Sequence, residues 1–189
     1  MIFHLFRPTP RDDRIASLYG TIVAQARAPA FYQDYGVPDT VNGRFEMVLL
    51  HAVLLLRRLN AGSGSLRRLG QAVFDLFCRD MDANLREMGV GDLAVPRQMR
   101  RIGEAFYGRQ AAYEAALGGP DTGPLVAAIA RNVFGTESGE PPQAGRLAAY
   151  VREAVRALTG QTDEALGGAE LSFPDPAKVP LADRAAANG

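Results

Sequence analysis

The sequence predicts an all-α protein, a compact bundle of about six helices followed by a flexible C-terminal tail. Three observations predict it. Apolar residues recur with helical period along most of the chain, and no convincing run of alternating β-branched residues appears. Gly and Pro gather between the periodic segments, where turns are needed. At 189 residues, with 47% apolar and 22% charged, the chain has the size and composition of one globular domain. The expected division is a single helical domain over residues 1–167 and a mobile Pro/Ala-rich tail over 168–189.

The first helix is expected from about Arg11 to Ala28, after Pro10 and with Asp12 and Asp13 in its first turn. Its stripe is Ile15, Leu18, Tyr19, Ile22, Val23 and Ala26, one buried face. A loop from Pro29 to Pro38 leads to Asp39 or Thr40, either of which can cap a second helix running to Leu59. That helix is apolar almost all round, which is the pattern of a central helix surrounded by others.

Ala61–Ser65 is a Gly/Ser turn whose serines can cap a third helix, about Leu66 to Met88, ended by Gly89. Val73, Phe74, Phe77, Met81, Leu85 and Met88 form its inward stripe. Asp75, Arg79, Asp82 and Arg86 alternate in sign across it, as on a solvated face. Pro96 suits the first turn of a fourth helix that runs to Leu117. Gly103 and Gly108 inside that helix suggest close approach of a neighbouring backbone. A fifth helix is read over Pro124–Phe134 and a sixth over about Ala144–Leu158, with the loop Gly135–Pro142 between them.

Charge and composition narrow the function. The formal net charge is zero. Residues 57–109 hold ten arginines against six acids, and residues 135–189 hold five bases against eight acids. Every basic residue but Lys178 is arginine, which fits either bidentate contacts to phosphate and carboxylate or a GC-rich coding bias. The single cysteine, Cys78, rules out an internal disulfide and suggests a reducing compartment. The opening MIFHLFRPTPRDDR has neither the length nor the charge pattern of a targeting peptide. The most apolar segment, Phe45–Leu56, contains Glu46 and His51 and is shorter than the roughly 18 residues of a membrane span. A cytoplasmic location follows.

No catalytic or metal-binding motif stands out in the sequence. His4 and His51 lie far apart in the chain, with no HExxH or CxxC spacing, so neither metal nor cofactor is expected. Asp80, Asp82 and Asn84 mimic the start of a calcium loop, but Leu85 stands where glycine must turn the chain and Gly91 where a glutamate must bind. No GK[ST] sequence follows the turn glycines, and Cys78 has no identifiable base. His51 either lines a groove or is a core histidine bonded to a neighbour. Met47, Met81, Met88 and Met99 either present a soft surface to apolar partners or fill gaps.

Four ordered segments carry more: FYQDYGVPDTVNGRFEMVLLHAVLLLRRL, FDLFCRDMDANLREMGVGDLAV, FYGRQAAYEAAL and LVAAIARNVFG. From about Phe31 to Gly135 the chain resembles the ubiquinol-cytochrome c chaperone family, helical assembly factors of the respiratory bc complex. The resemblance implies a non-enzymatic chaperone that binds newly made cytochrome b. It further implies a small partner assembly factor, the ribosome and peripheral contact with the cytoplasmic face of the inner membrane as partners, without DNA. The positions matching the motifs are Phe45, His51 and Arg57, then Asp80, Asp82 and Arg86, then Tyr107, Arg109, Tyr113 and Glu114, and finally Arg131 and Asn132. They are the candidate client or partner contacts. Cys78 departs from the family pattern, where a second aromatic or aliphatic residue is expected beside Phe77. Two rival readings are a magnesium-dependent helical enzyme of the isoprenoid type using Asp80, Asp82 and Glu87, and an RNA-binding domain built on the central arginines.

Overall fold

A computed structural model describes residues 10–136 and 141–180 of the chain. The opening apolar stretch with His4, most of the loop after Gly135, and the last nine residues of the expected tail lie outside them. The described residues are helical, without strands. Six longer helices are α1 (Pro10–Ala26), α3 (Val41–Ala61), α4 (Gly64–Glu87), α5 (Val95–Leu117), α6 (Gly123–Asn132) and α7 (Pro142–Gly160). They match the six periodic segments to within a few residues. Three short elements join them: α2 (Pro29–Gln33), α8 (Asp163–Gly167) and a 3₁₀ turn at Pro176–Lys178. The segment read as a loop from Pro29 therefore opens with a helix, seeded by Pro29 at its first position and held by Phe31, which is fully buried.

α3 is the axis. Its residues from Leu49 to Leu56 are all buried, and α1, α4, α5 and α7 pack around it. Thr40 caps it by accepting from the Gly43 N–H at 3.1 Å. Gly43 is required there, since a Cβ would stand 2.0 Å from the Pro38 carbonyl oxygen. At the other end Arg58 donates to the carbonyls of Leu158 and Gln161 and to the Asp163 carboxylate, and Asp163 also accepts from the Ser63 N–H. One arginine thus ties the end of α3 to α7 and α8.

α3 and α4 form an antiparallel hairpin, as the short turn between them requires. They approach closely near that turn, where a Cβ on Gly70 would be 3.3 Å from that of Leu59. Farther along, Phe74 and Phe77 of α4 pack with Phe106 of α5 at ring separations of 4.7 and 5.6 Å.

Several expectations need correcting. Ser63 occupies the position before α4, but its side chain makes no capping bond and pairs with the Ser65 hydroxyl. Gly103 and Gly108 admit no close backbone, for a Cβ at either would meet nothing within 4 Å. Residues 168–180, expected as part of a mobile tail, are pinned to the body. Gln25 donates to the Pro174 carbonyl, Tyr35 donates to the Pro176 carbonyl, and Gln161 exchanges two bonds with Ser172. Phe173 is the apolar anchor of this segment, its ring edge-on against His51 at 5.1 Å.

Candidate functional site

His51 is the first of the expected contact residues to place, and it is in the core. It is fully buried against the rings of Phe31, Tyr150 and Phe173, and Tyr35 packs in turn on Phe31 and Tyr150. Its Nδ1 lies 2.8 Å from the Met47 carbonyl, which can only accept, so Nδ1 carries the proton. Nε2 then accepts from the Tyr150 hydroxyl at 2.9 Å, and that hydroxyl accepts from Gln25 at 3.0 Å. Burial pushes the His51 pKa down to about 4, so the ring is neutral near pH 7. Of the two readings of this residue, the satisfied core histidine is the one the structure has.

The open site is a groove of about 730 Å³ to which α1, α3, α4 and α5 each contribute. Its apolar lining comes from Val23 of α1, Val41, Phe45 and Val48 of α3, Met81 and Leu85 of α4 with Met88 at its C-terminal cap, and Ile102 and Ala105 of α5. It lies at the open end of the α3–α4 hairpin. Two of its apolar residues are unusually bare for a folded protein, Val41 at 73% and Met88 at 66% exposure. Leu93, on the turn after α4, is exposed as well.

Two polar pairs in the groove, Glu46 with Arg109 and Asp80 with Tyr19, are held in place. Glu46 has only 2% of its side chain exposed and forms a two-pronged ion pair with Arg109, Nη2 to Oε1 at 2.6 Å and Nε to Oε2 at 3.1 Å. This is the geometry that best offsets the desolvation of a carboxylate. Its hydrogen bond to Glu46 raises the Arg109 pKa despite partial burial. Asp80 accepts from the Tyr19 hydroxyl at 2.7 Å, and burial first, then Asp80, pushes that hydroxyl's pKa upward.

Of the remaining expected contacts, Phe45, Asp80 and Arg109 meet in the groove. Arg57 and Glu114 line a different, polar cleft of about 850 Å³ beside Asn60, Ser63 and Thr159. Asp82 is ion-paired to Arg86, which also binds Asp92. Tyr107 is exposed on α5 next to Phe74 and Phe106. Tyr113 is buried with no hydrogen bond of good geometry to its hydroxyl, although Asn132 at the end of α6 stands nearby, and burial raises its pKa. Arg131 lies exposed on α6. The four methionines divide too: Met47 fills the core and Met99 is half-buried, while Met81 and Met88 face the groove.

The structure adds Tyr19, Val23, Arg27, Val48, Arg101 and Ile102 to the lining. Glu46 was the one legible hint, because a carboxylate inside an apolar helix demands a partner. Asp80, Asp82 and Glu87 do not converge, and among the described residues no three His, Cys, Asp or Glu side chains gather so as to hold a metal. Among them, too, no helix is long and apolar enough to cross a membrane. Several central arginines are engaged with carboxylates: Arg58 with Asp163, Arg86 with Asp82, and Arg109 with Glu46.

Comparison with known proteins adds the lineage. The family described as Ubiquinol-cytochrome C chaperone matches residues 33–173, extending the likeness through α7 to the pinned segment. Ubiquinol-cytochrome c reductase complex assembly factor 1 of Mus musculus is 26% identical over 155 residues, 81% of this chain and 52% of the relative. The Xenopus laevis protein of that name is 25% identical over 147 residues, 77% of this chain and 73% of the relative. The chain spans about half the length of the mouse relative. The crystal structure of the Cbp3 homolog from Brucella abortus superposes with a TM-score of 0.83 at 38% identity, covering 90% of this chain and 94% of that one. The chain belongs to the ubiquinol-cytochrome c chaperone family.

Proposed function

We propose that this protein is an assembly chaperone that binds newly made cytochrome b and promotes assembly of the ubiquinol-cytochrome c reductase complex, without covalent chemistry or cofactor. Two relatives carry the name assembly factor of that complex. The observation that carries the reading is the groove. It is apolar, open, and partly lined by Met81 and Met88, whose flexible thioethers adapt to varied apolar partners. A membrane protein in the course of synthesis exposes apolar segments, and a groove between helices is a common way to hold such a segment. Phe45, Asp80 and Arg109 are the proposed client contacts from the motif-matching positions. Tyr107, Arg131 and the Arg57–Glu114 cleft lie away from the groove and are proposed for a small partner factor or the ribosome, with the inner membrane as a peripheral surface.

The test is a pair of single variants in native cells, Met81→Glu and Leu85→Glu, which put a carboxylate into the groove. Haem spectra should show the bc complex reduced severalfold while the variant chaperone accumulates normally and keeps its helical circular dichroism. Unchanged bc complex in both variants would overturn the groove as the client site.

A further inference from the structure

The groove is short. Val41, Phe45 and Val48 of α3 follow i, i+4, i+7 spacing, and Met81 and Leu85 of α4, with Met88 at its C-terminal cap, repeat it. Seven helical residues rise only about 10 Å. A membrane-spanning helix needs ~30 Å of apolar surface, so about two thirds of it would remain uncovered here. Two matching stripes are instead what one face of a short amphipathic helix would interlock with.

Charge says more about the occupant. Glu46 is taken by Arg109, Arg44 by Asp39, and Asp80 by the Tyr19 hydroxyl. Arg27, on the turn just after α1, and Arg101, from α5, also line the groove, both exposed, and neither has a carboxylate partner among the described residues. The lining thus includes two uncommitted guanidinium groups, one from the turn after α1 and one from α5, beside an apolar centre.

Resting on the groove as the client site, we propose that its occupant is a short amphipathic helix of the client lying outside the membrane-spanning stretches. About two turns of it are in contact, and carboxylates flanking its apolar stripe meet Arg27 and Arg101. The apolar stripe supplies most of the affinity. Exposed ion pairs add little each, but they orient the segment and reject a cationic one.

The test uses the full chain and two synthetic peptides of about 14 residues, long enough to be partly helical. Both carry leucine at i, i+4 and i+7; one is flanked by glutamates and the other by lysines. Fluorescence anisotropy at low salt should show the glutamate peptide binding about tenfold tighter, with the gap closing in about 0.5 M salt. In the double variant Arg27→Glu/Arg101→Glu the preference should reverse. Equal binding of the two peptides, or no binding of either, overturns the proposal. If cytochrome b nevertheless crosslinks from Leu85 in cells, the groove remains the client site and only this account of its occupant falls.

Discussion

α3 buries two polar side chains, Glu46 and His51, and the molecule treats them in opposite ways. Around His51 the chain closes on itself. Tyr150 from α7 and the Met47 carbonyl satisfy both ring nitrogens, and Phe173 of the pinned segment packs against the ring. Around Glu46 one arginine from α5 satisfies the carboxylate, and the apolar surface beside it stays open. A polar residue inside an apolar helix therefore does not by itself mark a binding site. What separates the two regions is whether another segment of the chain arrives to cover them.

The largest effect should come from breaking the polar anchor of the open region. Arg109→Ala leaves the Glu46 carboxylate nearly buried without its partner, and urea unfolding should show a loss of about 3 to 4 kcal/mol. Glu46→Gln combined with Arg109→Met removes both charges and should recover much of that loss. If the single and double variants are equally destabilised, the ion pair is not what holds this end of α3 to α5.

Acid should break the closed region nearly as strongly. In the unfolded chain His51 takes up a proton near its ordinary pKa of 6.5, whereas the folded protein resists protonation until about pH 4. Stability from this group is thus complete above pH 6.5 and declines as pH falls toward 4. The total is about 3 kcal/mol at 1.36 kcal/mol per unit. Denaturation midpoints measured across that window should fall, and His51→Phe should flatten the dependence in this range. An unchanged slope in that variant would show that other groups cause it.

The smallest effect on stability should come from the bare groove wall. Met88→Ser changes an exposed side chain and should shift stability by no more than about 0.5 kcal/mol. A larger loss would mean that this wall belongs to the core and is not kept for a partner.

Legibility in the sequence follows the same divide. The six longer helices could be read because each carries several turns of 3.6-residue period, and the near-continuous apolar run from Met47 to Leu59 announced the central one. α2 and α8 could not be read, since five residues are too few to show a period and both are held by single buried anchors, Phe31 and Leu166. The same reason hid the docking of residues 168–180, which depends on Phe173 and on carbonyls that receive bonds from Gln25 and Tyr35. Periodicity placed Tyr19 and Val23 on one face of α1, and Met81 and Leu85 on one face of α4. That these faces border one groove depends on the spread of the α3–α4 hairpin, which no local pattern encodes. Gly103 and Gly108 misled for a related reason: helical glycines can stand in open space, while the tight approach occurs at Gly70.

The most direct test of the central claim is site-specific photo-crosslinking in native cells during synthesis of the bc complex. A crosslinker placed at Leu85, in the groove, should capture cytochrome b, and one placed at Thr159, in the polar cleft, should not. Capture from Thr159 with none from Leu85 would contradict the account, because the client would then be held where the molecule presents charge and not its open apolar surface.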